Sequence, residues 1–378
     1  MAKSRSKSVG KRQLDQYREQ MQEVTRSILD LVSARQNLAQ LIAQVKESSG
    51  AEVENHSVEE RLSSEMIAYA RSIGLDEHLA KMIVLELIKY SKIAQRKKIY
   101  LNSIRTHLRT NKIRTVAIFG AGRMGGWFAS YFIEAGAKVL LFDANRRLSR
   151  SKASALGCGY ARSFEEAARS DLALVAVPIK ATPREVRRLA TYSKENPNQT
   201  VRILEISSIK NEMENAGFIQ GNKLPRNVTL YSIHPLFGPM ADHFSVNSLI
   251  QIGGRSPFVN GIFPQYQIFH MGVRNHDQLM STMLTMPHAH ALSFANSIAK
   301  RKLMIPENIG SPSFDHLLEL SRKTLKENRD VYYEIQATNP YADRAITDTM
   351  ASVRKIRSLL RDKKAFRKFF DETGRALN

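Results

Sequence analysis

The residues from Gly120 to Gly125, G-A-G-R-M-G, have the composition and spacing of a turn that cradles a pyrophosphate. Five residues, Thr115 to Phe119 (T-V-A-I-F), four of them apolar, precede it as a short buried strand, and a helical pattern from Gly126 to Ala135 follows. A second strand, Lys138 to Phe142, ends in Asp143, 23 residues after the first glycine. Strand, glycine turn, helix and acid-terminated strand in that order specify dinucleotide binding far better than the glycines alone. Gly120 permits the tight turn, and Gly122 admits the pyrophosphate to a helix N-terminus opened by Arg123 and Met124. Gly125 lets helix and strand pack closely. Asp143 is placed to accept the adenosine ribose hydroxyls, which favours NAD; Arg146 and Arg147 just beyond it keep NADP open as the alternative. Leu172 to Val177, closed by Pro178, reads as a further strand whose C-terminal end borders the nicotinamide in such folds.

Two more strands carry polar residues at their ends. E-I-S-S-I-K brings Ser208 and Lys210, and S-I-H-P-L-F-G-P brings His234, stiffened by Pro235 and Pro239. A histidine at the C-terminal end of a strand can act as an acid or base beside a cofactor, although a single histidine is more often structural.

The first hundred residues have a different character. Leu14, Tyr17, Met21, Val24, Ile28, Leu31, Leu38, Ile42 and Val45 follow a 3-4 spacing with Arg35 in the gap. Lys46 projects about 20° from Arg35 around the helix, and Arg18 about 100° away. A helix of roughly 50 Å is too long to pack within a small globule and implies an intertwined dimer, in which Arg18 completes the partner's site. On a later helix Val84 and Ile88 continue at the same spacing into Ser91 and Gln95, so an apolar stripe turns polar. Two arginines, a lysine, Gln95 and Glu59 make a pocket for a small dianion with hydroxyl or ether oxygens; surface ion pairs along long helices would leave the same pattern.

These residues require three kinds of segment. The expected divisions are a disordered basic tail over 1–13, a helical domain over 14–109, an α/β domain over 110–272 and a helical substrate and dimerisation domain over 273–378. The expected helices run from Leu14 for about 35 residues, from Ser57 to Ser72, from Leu75 to His107, from His276 to Lys300 and from Phe314 to Asn328. A basic amphipathic helix from Arg354 to Arg375 closes the chain with a solvated face.

Composition sets the outer limits. With 43% hydrophobic and 25% charged residues the chain reads as globular, and no run of eighteen apolar residues marks a membrane span. Without the apolar stretch of a secretory signal and with one cysteine, Cys158, the expected setting is the cytoplasm. The net charge of +21 invites comparison with nucleic-acid binders, but it is spread along the chain without a basic stripe interleaved with aromatics, which argues against that class.

Residues 14 to 100 resemble the all-helical class of chorismate mutase, on Y-R-E-Q at Arg18, S-A-R-Q at Arg35, Q-V-K at Lys46, V-E-E at Glu59 and the Ser91/Gln95 pair. The resemblance implies that Arg35 and Arg18 of the other chain clamp the carboxylates of chorismate. It further implies that Lys46 and Gln95 stabilise charge on the ether oxygen, that Glu59 holds the hydroxyl and that Ser91 lines the site. The chain departs from the family's pattern at Asn55, usually an acid, and at Val58, usually an arginine.

Residues 113 to 330 resemble the prephenate dehydrogenase family, on H-P-L-F-G-P preceded by S-I-K, and on His276-Asp277 followed twelve residues later by His288. Implied is the oxidative decarboxylation of prephenate with NAD: His234 takes the hydroxyl proton, Ser208 steadies it and His288 lines the pocket. The arginine that the family uses for the side-chain carboxylate is replaced by Asp315, leaving Arg322 and Lys323 as the nearby cations. Prephenate and arogenate both remain open as substrates. Together the two resemblances imply a bifunctional homodimer of tyrosine biosynthesis, the alternative being a monofunctional dehydrogenase whose helical segment only dimerises or regulates.

Overall fold

The computed structural model of the chain describes residues 2–49, 56–219, 223–245, 247–301 and 309–377; Asn55 lies outside them. Two compact units divide it. The first comprises Met1–His107 with Ala241–Asn247 and Gly261–Gln265, and the second Leu108–Met240, Ser248–Asn260 and Tyr266–Asn378.

Three helices dominate the first unit: α1 (Ala2–Ser49), α2 (His56–Ser72) and α3 (Glu77–Thr110). No proline interrupts α1, so the helix extends back to Ala2 through the basic segment expected to be a disordered arm. Gly74, in the left-handed region at φ 72°, reverses the chain after α2, while Leu75 N–H returns to the Ala70 carbonyl at 2.9 Å. Asp76 then accepts from Leu79 N–H at 2.8 Å, a cap that starts α3 at Glu77 rather than at Leu75.

The second unit is built on β1 (Thr115–Phe119), α4 (Arg123–Glu134), β2 (Lys138–Phe142), α5 (Arg146–Leu156), β3 (Gly159–Tyr160), α6 (Phe164–Ala168), β4 (Leu172–Val175), α7 (Thr182–Glu195), β5 (Val201–Glu205), α8 (Asn211–Asn215), β6 (Val228–Pro235), β7 (Ser248–Ile252), α9 (Pro257–Ile262) and β8 (Gln267–Met271). These eight strands form one sheet in the order β3-β2-β1-β4-β5-β6-β7-β8. Strands β1 to β6 run parallel, and β7 turns antiparallel to β6, pairing His234 with Ile250. Parallel strands covered on both faces need continuous apolar runs, and β1 and β4 are of that kind. The order reverses at β1, which has β2 on one side and β4 on the other; such switch points open a crevice at the carboxyl ends of the strands. β4 ends at Val175, so Val177 and Pro178 stand in the following turn and not in the strand as expected.

The C-terminal part is helical: α10 (Val273–Met280), a π turn at Ser281–Thr285, α11 (Met286–Arg301), α12 (Pro312–Lys326), α13 (Arg329–Thr338), α14 (Ala342–Leu359) and α15 (Lys363–Leu377). The single basic helix expected from Arg354 is two helices, because Asp362 accepts from the N–H groups of Lys364 and Ala365 at 3.0 Å and starts α15 afresh.

A methyl group at Gly125 would stand 1.9 Å from the Gly120 carbonyl oxygen. Gly125→Ala is expected to destabilise the protein by about 1–3 kcal/mol through overpacking against the turn. Thermal unfolding with and without NAD⁺ checks this, and the cofactor-induced rise in Tm is expected to vanish in the variant.

Candidate active sites

The glycine turn leaves β1 with Gly120 at φ 106°, where an added Cβ would meet the Ala176 carbonyl oxygen at 2.4 Å. Gly122 caps α4 without any side-chain bond to the helix's first N–H groups, and a Cβ there would meet nothing within 4 Å. Donors unclaimed by a capping side chain, next to open space at a helix N-terminus, fit a pyrophosphate. The Asp143 carboxylate, directly after β2, accepts from Ala121 N–H and Asn145 N–H at 2.8 Å each, which ties the turn to the strand end and leaves lone pairs for ribose hydroxyls. Arg123 and Met124 open α4, and the Arg123 guanidinium is paired with Glu327.

Two and three strands along the sheet from β1, the ends of β5 and β6 hold a buried polar cluster. Lys210, fully buried, donates from Nζ to Glu205 Oε1 at 2.6 Å and to the Ile233 carbonyl at 2.7 Å. Glu205 also accepts from Ser207 Oγ at 2.7 Å and from Ser232 Oγ. Asp277, at 1% exposure, accepts from the N–H groups of Lys210 (3.0 Å) and Asn211 (2.8 Å). Its Oδ1 meets His276 Nδ1 at 2.7 Å, and His276 Nε2 meets His234 Nδ1 at 3.0 Å. Burial pushes the His234 pKa well below 6.5, with His276 and Lys210 adding to the shift, so the imidazole is neutral near pH 7. Ser208 is half-buried beside Ser207, and Ser207 is the serine that the cluster takes up.

His288 lies half-buried on α11, its ring 4.1 Å from that of Tyr332. The Gln336 amide Nε2 stands 3.3 Å from His288 Nδ1 and can only donate, so the proton of the neutral ring sits on Nε2. The Gln336 amide oxygen is buried with no hydrogen-bond partner, a group that a ligand would satisfy. Arg322 and Lys323 are exposed on α12, and among the described residues no polar contact joins either to His234 or His288.

The helical unit gathers part of its expected set. Arg35, half-buried, donates to the Leu87 carbonyl at 2.6 Å and to Ser91 Oγ, and desolvation lowers its pKa. Gln95 is buried one turn beyond Ser91 with its amide oxygen unsatisfied. Glu59 is held by Lys92 at 3.0 Å. Lys46 is half-buried near the end of α1. Arg18 lies apart in the single chain, exposed and paired with Asp15.

Four participants were not among the expected site residues. Glu205, Ser207 and Ser232 carried only the signal of polar residues at strand ends, and Lys92 only its place between Ser91 and Gln95. His276, Asp277 and Lys210 belong to recognised motifs without an assigned part.

Comparison with known proteins separates the same two parts. Residues 17–96 match the family described as chorismate mutase type II, and residues 115–201 match NADP oxidoreductase, coenzyme F420-dependent. A probable arogenate/prephenate dehydrogenase of Methanocaldococcus jannaschii is 23% identical over 60% of this chain, and the chain spans about half (52%) of that relative's length. The T-protein of Haemophilus influenzae is 19% identical over 85% of this chain and 80% of its own. Among solved structures, prephenate dehydrogenase from Aquifex aeolicus, in complex with hydroxyphenyl propionate and NAD⁺, aligns with a TM-score of 0.52 at 19% identity, over 69% of this chain and 96% of that one. Arogenate dehydrogenase of Synechocystis aligns with a TM-score of 0.51 at 12% identity, over 69% and 97%. The chain therefore joins an N-terminal helical segment that matches chorismate mutase type II over residues 17–96 to a dinucleotide-binding unit. That unit has the fold of the prephenate and arogenate dehydrogenases, and the T-protein is a relative along most of both parts.

Removing one partner of the Lys210–Glu205 pair strands a buried charge. Lys210→Ala is expected to cost about 3–5 kcal/mol of stability in urea unfolding.

Proposed function

We propose that the chain is a bifunctional, homodimeric cytoplasmic enzyme of tyrosine biosynthesis that converts chorismate to prephenate and oxidatively decarboxylates prephenate to 4-hydroxyphenylpyruvate with NAD⁺. The observation that carries the reading is His234, buried and neutral at the carboxyl end of β6, in the same sheet whose switch point bears the glycine turn. The likeness to the T-protein across both parts supports combining the two activities in one chain.

The N-terminus of α4 with Gly120, Gly122 and Gly125 holds the cofactor's pyrophosphate, Asp143 its ribose hydroxyls, and Val177 and Pro178 border its reactive end. When bound, NAD⁺ accepts the hydride from the ring carbon that bears the 4-hydroxyl. His234 Nε2 takes the hydroxyl proton as the carbonyl forms. Loss of the ring carboxylate as CO₂ then makes the ring aromatic, and the proton returns to the phenolate oxygen, so the step balances. Ser208 orients the hydroxyl, His288 offers an Nε2–H donor to the substrate, and Arg322 or Lys323 holds the side-chain carboxylate. Asp143 favours NAD over NADP, since a 2′-phosphate would meet its charge.

In the helical domain Arg35, Ser91 and Gln95 receive the dianion with Lys46 and Glu59, and Arg18 joins from the partner subunit. The rearrangement needs no nucleophile, so restraint and preorganised charge do the catalysis. Homodimerisation is supported by α1, where Leu14, Tyr17, Met21, Val24, Ile28 and Leu31 are 50–71% exposed in the single chain.

The test is prephenate with NAD⁺, following NADH and CO₂. His234→Asn is expected to lower kcat by roughly 10²–10⁴-fold; an unchanged rate would overturn the assignment. Because protonation disables His234 and its pKa lies well below 6.5, wild-type kcat/KM is expected to hold level down through pH 6.5 and to fall only in more acid solution. Chorismate without NAD⁺ tests the other half. Arg35→Ala is expected to slow its disappearance about a hundredfold, the equivalent of roughly 3 kcal/mol in charged hydrogen bonds. If the wild type leaves chorismate untouched, the helical domain is a dimerisation module.

A further inference from the structure

We infer that His276 and Asp277 form a proton relay behind His234: the proton gained at His234 Nε2 is matched by transfer of its Nδ1 proton to His276, whose charge then rests against Asp277. The inference rests on the reading of His234 as the group that takes the substrate's hydroxyl proton.

The hydrogen bonds fix the tautomers. The Asp277 carboxylate already accepts two backbone N–H groups and lies 2.7 Å from His276 Nδ1, so that nitrogen bears the proton. His276 Nε2 is then the lone-pair side of a neutral ring. The 3.0 Å contact is satisfied only if His234 donates from Nδ1. His234 Nε2 is left as the acceptor, and both rings carry their proton on Nδ1, so the two hydrogen bonds run in one direction, from His234 through His276 to Asp277, as a concerted shift of two protons needs. The bond that forms on substrate attack is Nε2–H of His234. The bond that breaks is its Nδ1–H, as Nε2–H of His276 forms, so His234 ends neutral and His276 cationic.

The charges around the two rings say where the proton settles. The ionisable groups facing them are Lys210 from the segment before α8, Glu205 at the end of β5 and Asp277 on α10. Burial disfavours a cation on either ring and Lys210 adds to that, whereas Asp277 and Glu205 favour one on His276 alone. At rest the buried set of Lys210, Glu205 and Asp277 carries one net negative charge, and a proton on His276 brings it to zero. A cation kept on His234 would have no adjacent anion, an expensive arrangement for a group at 5% exposure. His276 and Asp277 are thus positioning residues that act through His234.

Two measurements test the relay. In ¹⁵N-histidine NMR of the full chain at neutral pH, with signals assigned by loss in His234→Asn and His276→Gln, both rings are expected as Nδ1–H tautomers. A His276 signal from the Nε2–H tautomer would overturn the relay whether or not the enzyme turns over prephenate. His276→Gln keeps an acceptor for His234 but cannot carry a proton. It is expected to lose tenfold or more in kcat with KM for prephenate and NAD⁺ within twofold, and to move the acid limb of kcat/KM to lower pH, since a proton then has only His234, buried and without an adjacent anion, to occupy. If the variant melts like the wild type and keeps both kcat and the acid limb, the relay is wrong and His234 acts alone. A wild type inert toward prephenate would instead remove the parent reading and leave the tautomers standing as a structural fact.

Discussion

An ammonium group with no access to water must find an acceptor for each of its protons, and at Lys210 that demand organises the α/β site. Its Nζ draws the Glu205 carboxylate from the end of β5 and the Ile233 carbonyl from β6, with Ser207 Oγ at 3.5 Å. Desolvating each ion costs several kcal/mol, offset only when the partners are close and the remaining lone pairs are filled, as Ser207 and Ser232 fill those of Glu205. The pair therefore sets the separation of two strand ends, and through them the position of His234, the residue after Ile233. The backbone N–H of the same lysine, with that of Asn211, anchors Asp277, so α10 is brought to the cluster by the chain segment that supplies the cation.

The two halves of the chain handle charge in opposite ways. The helical domain ties its cations down by direct contacts: Arg35 spends its donors on Leu87 and Ser91, and Lys92 pairs with Glu59. Such a site suits a dianion that changes shape without exchanging protons. The α/β site keeps its two histidines neutral by burial and stores the counter-charge one ring away on Asp277, an arrangement suited to a reaction in which a proton must leave and return. The unsatisfied Gln95 and Gln336 amide oxygens mark the same distinction from the ligand's side, since each is a buried polar atom left for a bound molecule to meet.

Much of this was legible in the sequence where the signal is local. The glycine turn, the strands at Thr115–Phe119 and Lys138–Phe142 and the position of His234 all follow from residues within one supersecondary unit. Contacts between distant segments were not legible: Lys92 meets Glu59 across 33 residues of sequence, and Lys210 N–H meets Asp277 across 67, distances at which neither periodicity nor motif spacing speaks. Boundaries failed where a single side chain decides them. Asp362 splits the expected terminal helix by capping α15, and Asp76 delays α3 by two residues, because a cap's hydrogen bond outweighs a continuing apolar pattern. Nor does the sequence rank Arg322 against Lys323, which are adjacent and both exposed on α12.

Helix α13 connects the turn after β4 with His288 on α11. Glu334 accepts from Ile179 N–H at 2.6 Å in the turn that follows Pro178, where the end of β4 gives way to the 3₁₀ segment. Tyr332 and Gln336, four residues apart and so on one face of the helix, hold the ring of His288, while Glu334 between them projects to the other side. Just before the helix, at the C-cap of α12, Glu327 pairs with Arg123 of the glycine turn. Three contacts along a stretch of ten residues thus reach the glycine turn, the turn after β4 and His288. Glu327, Glu334 and the Tyr332/Gln336 pair tie one stretch of chain to three separate segments, and packing at protein density resists the displacement of any one of them alone.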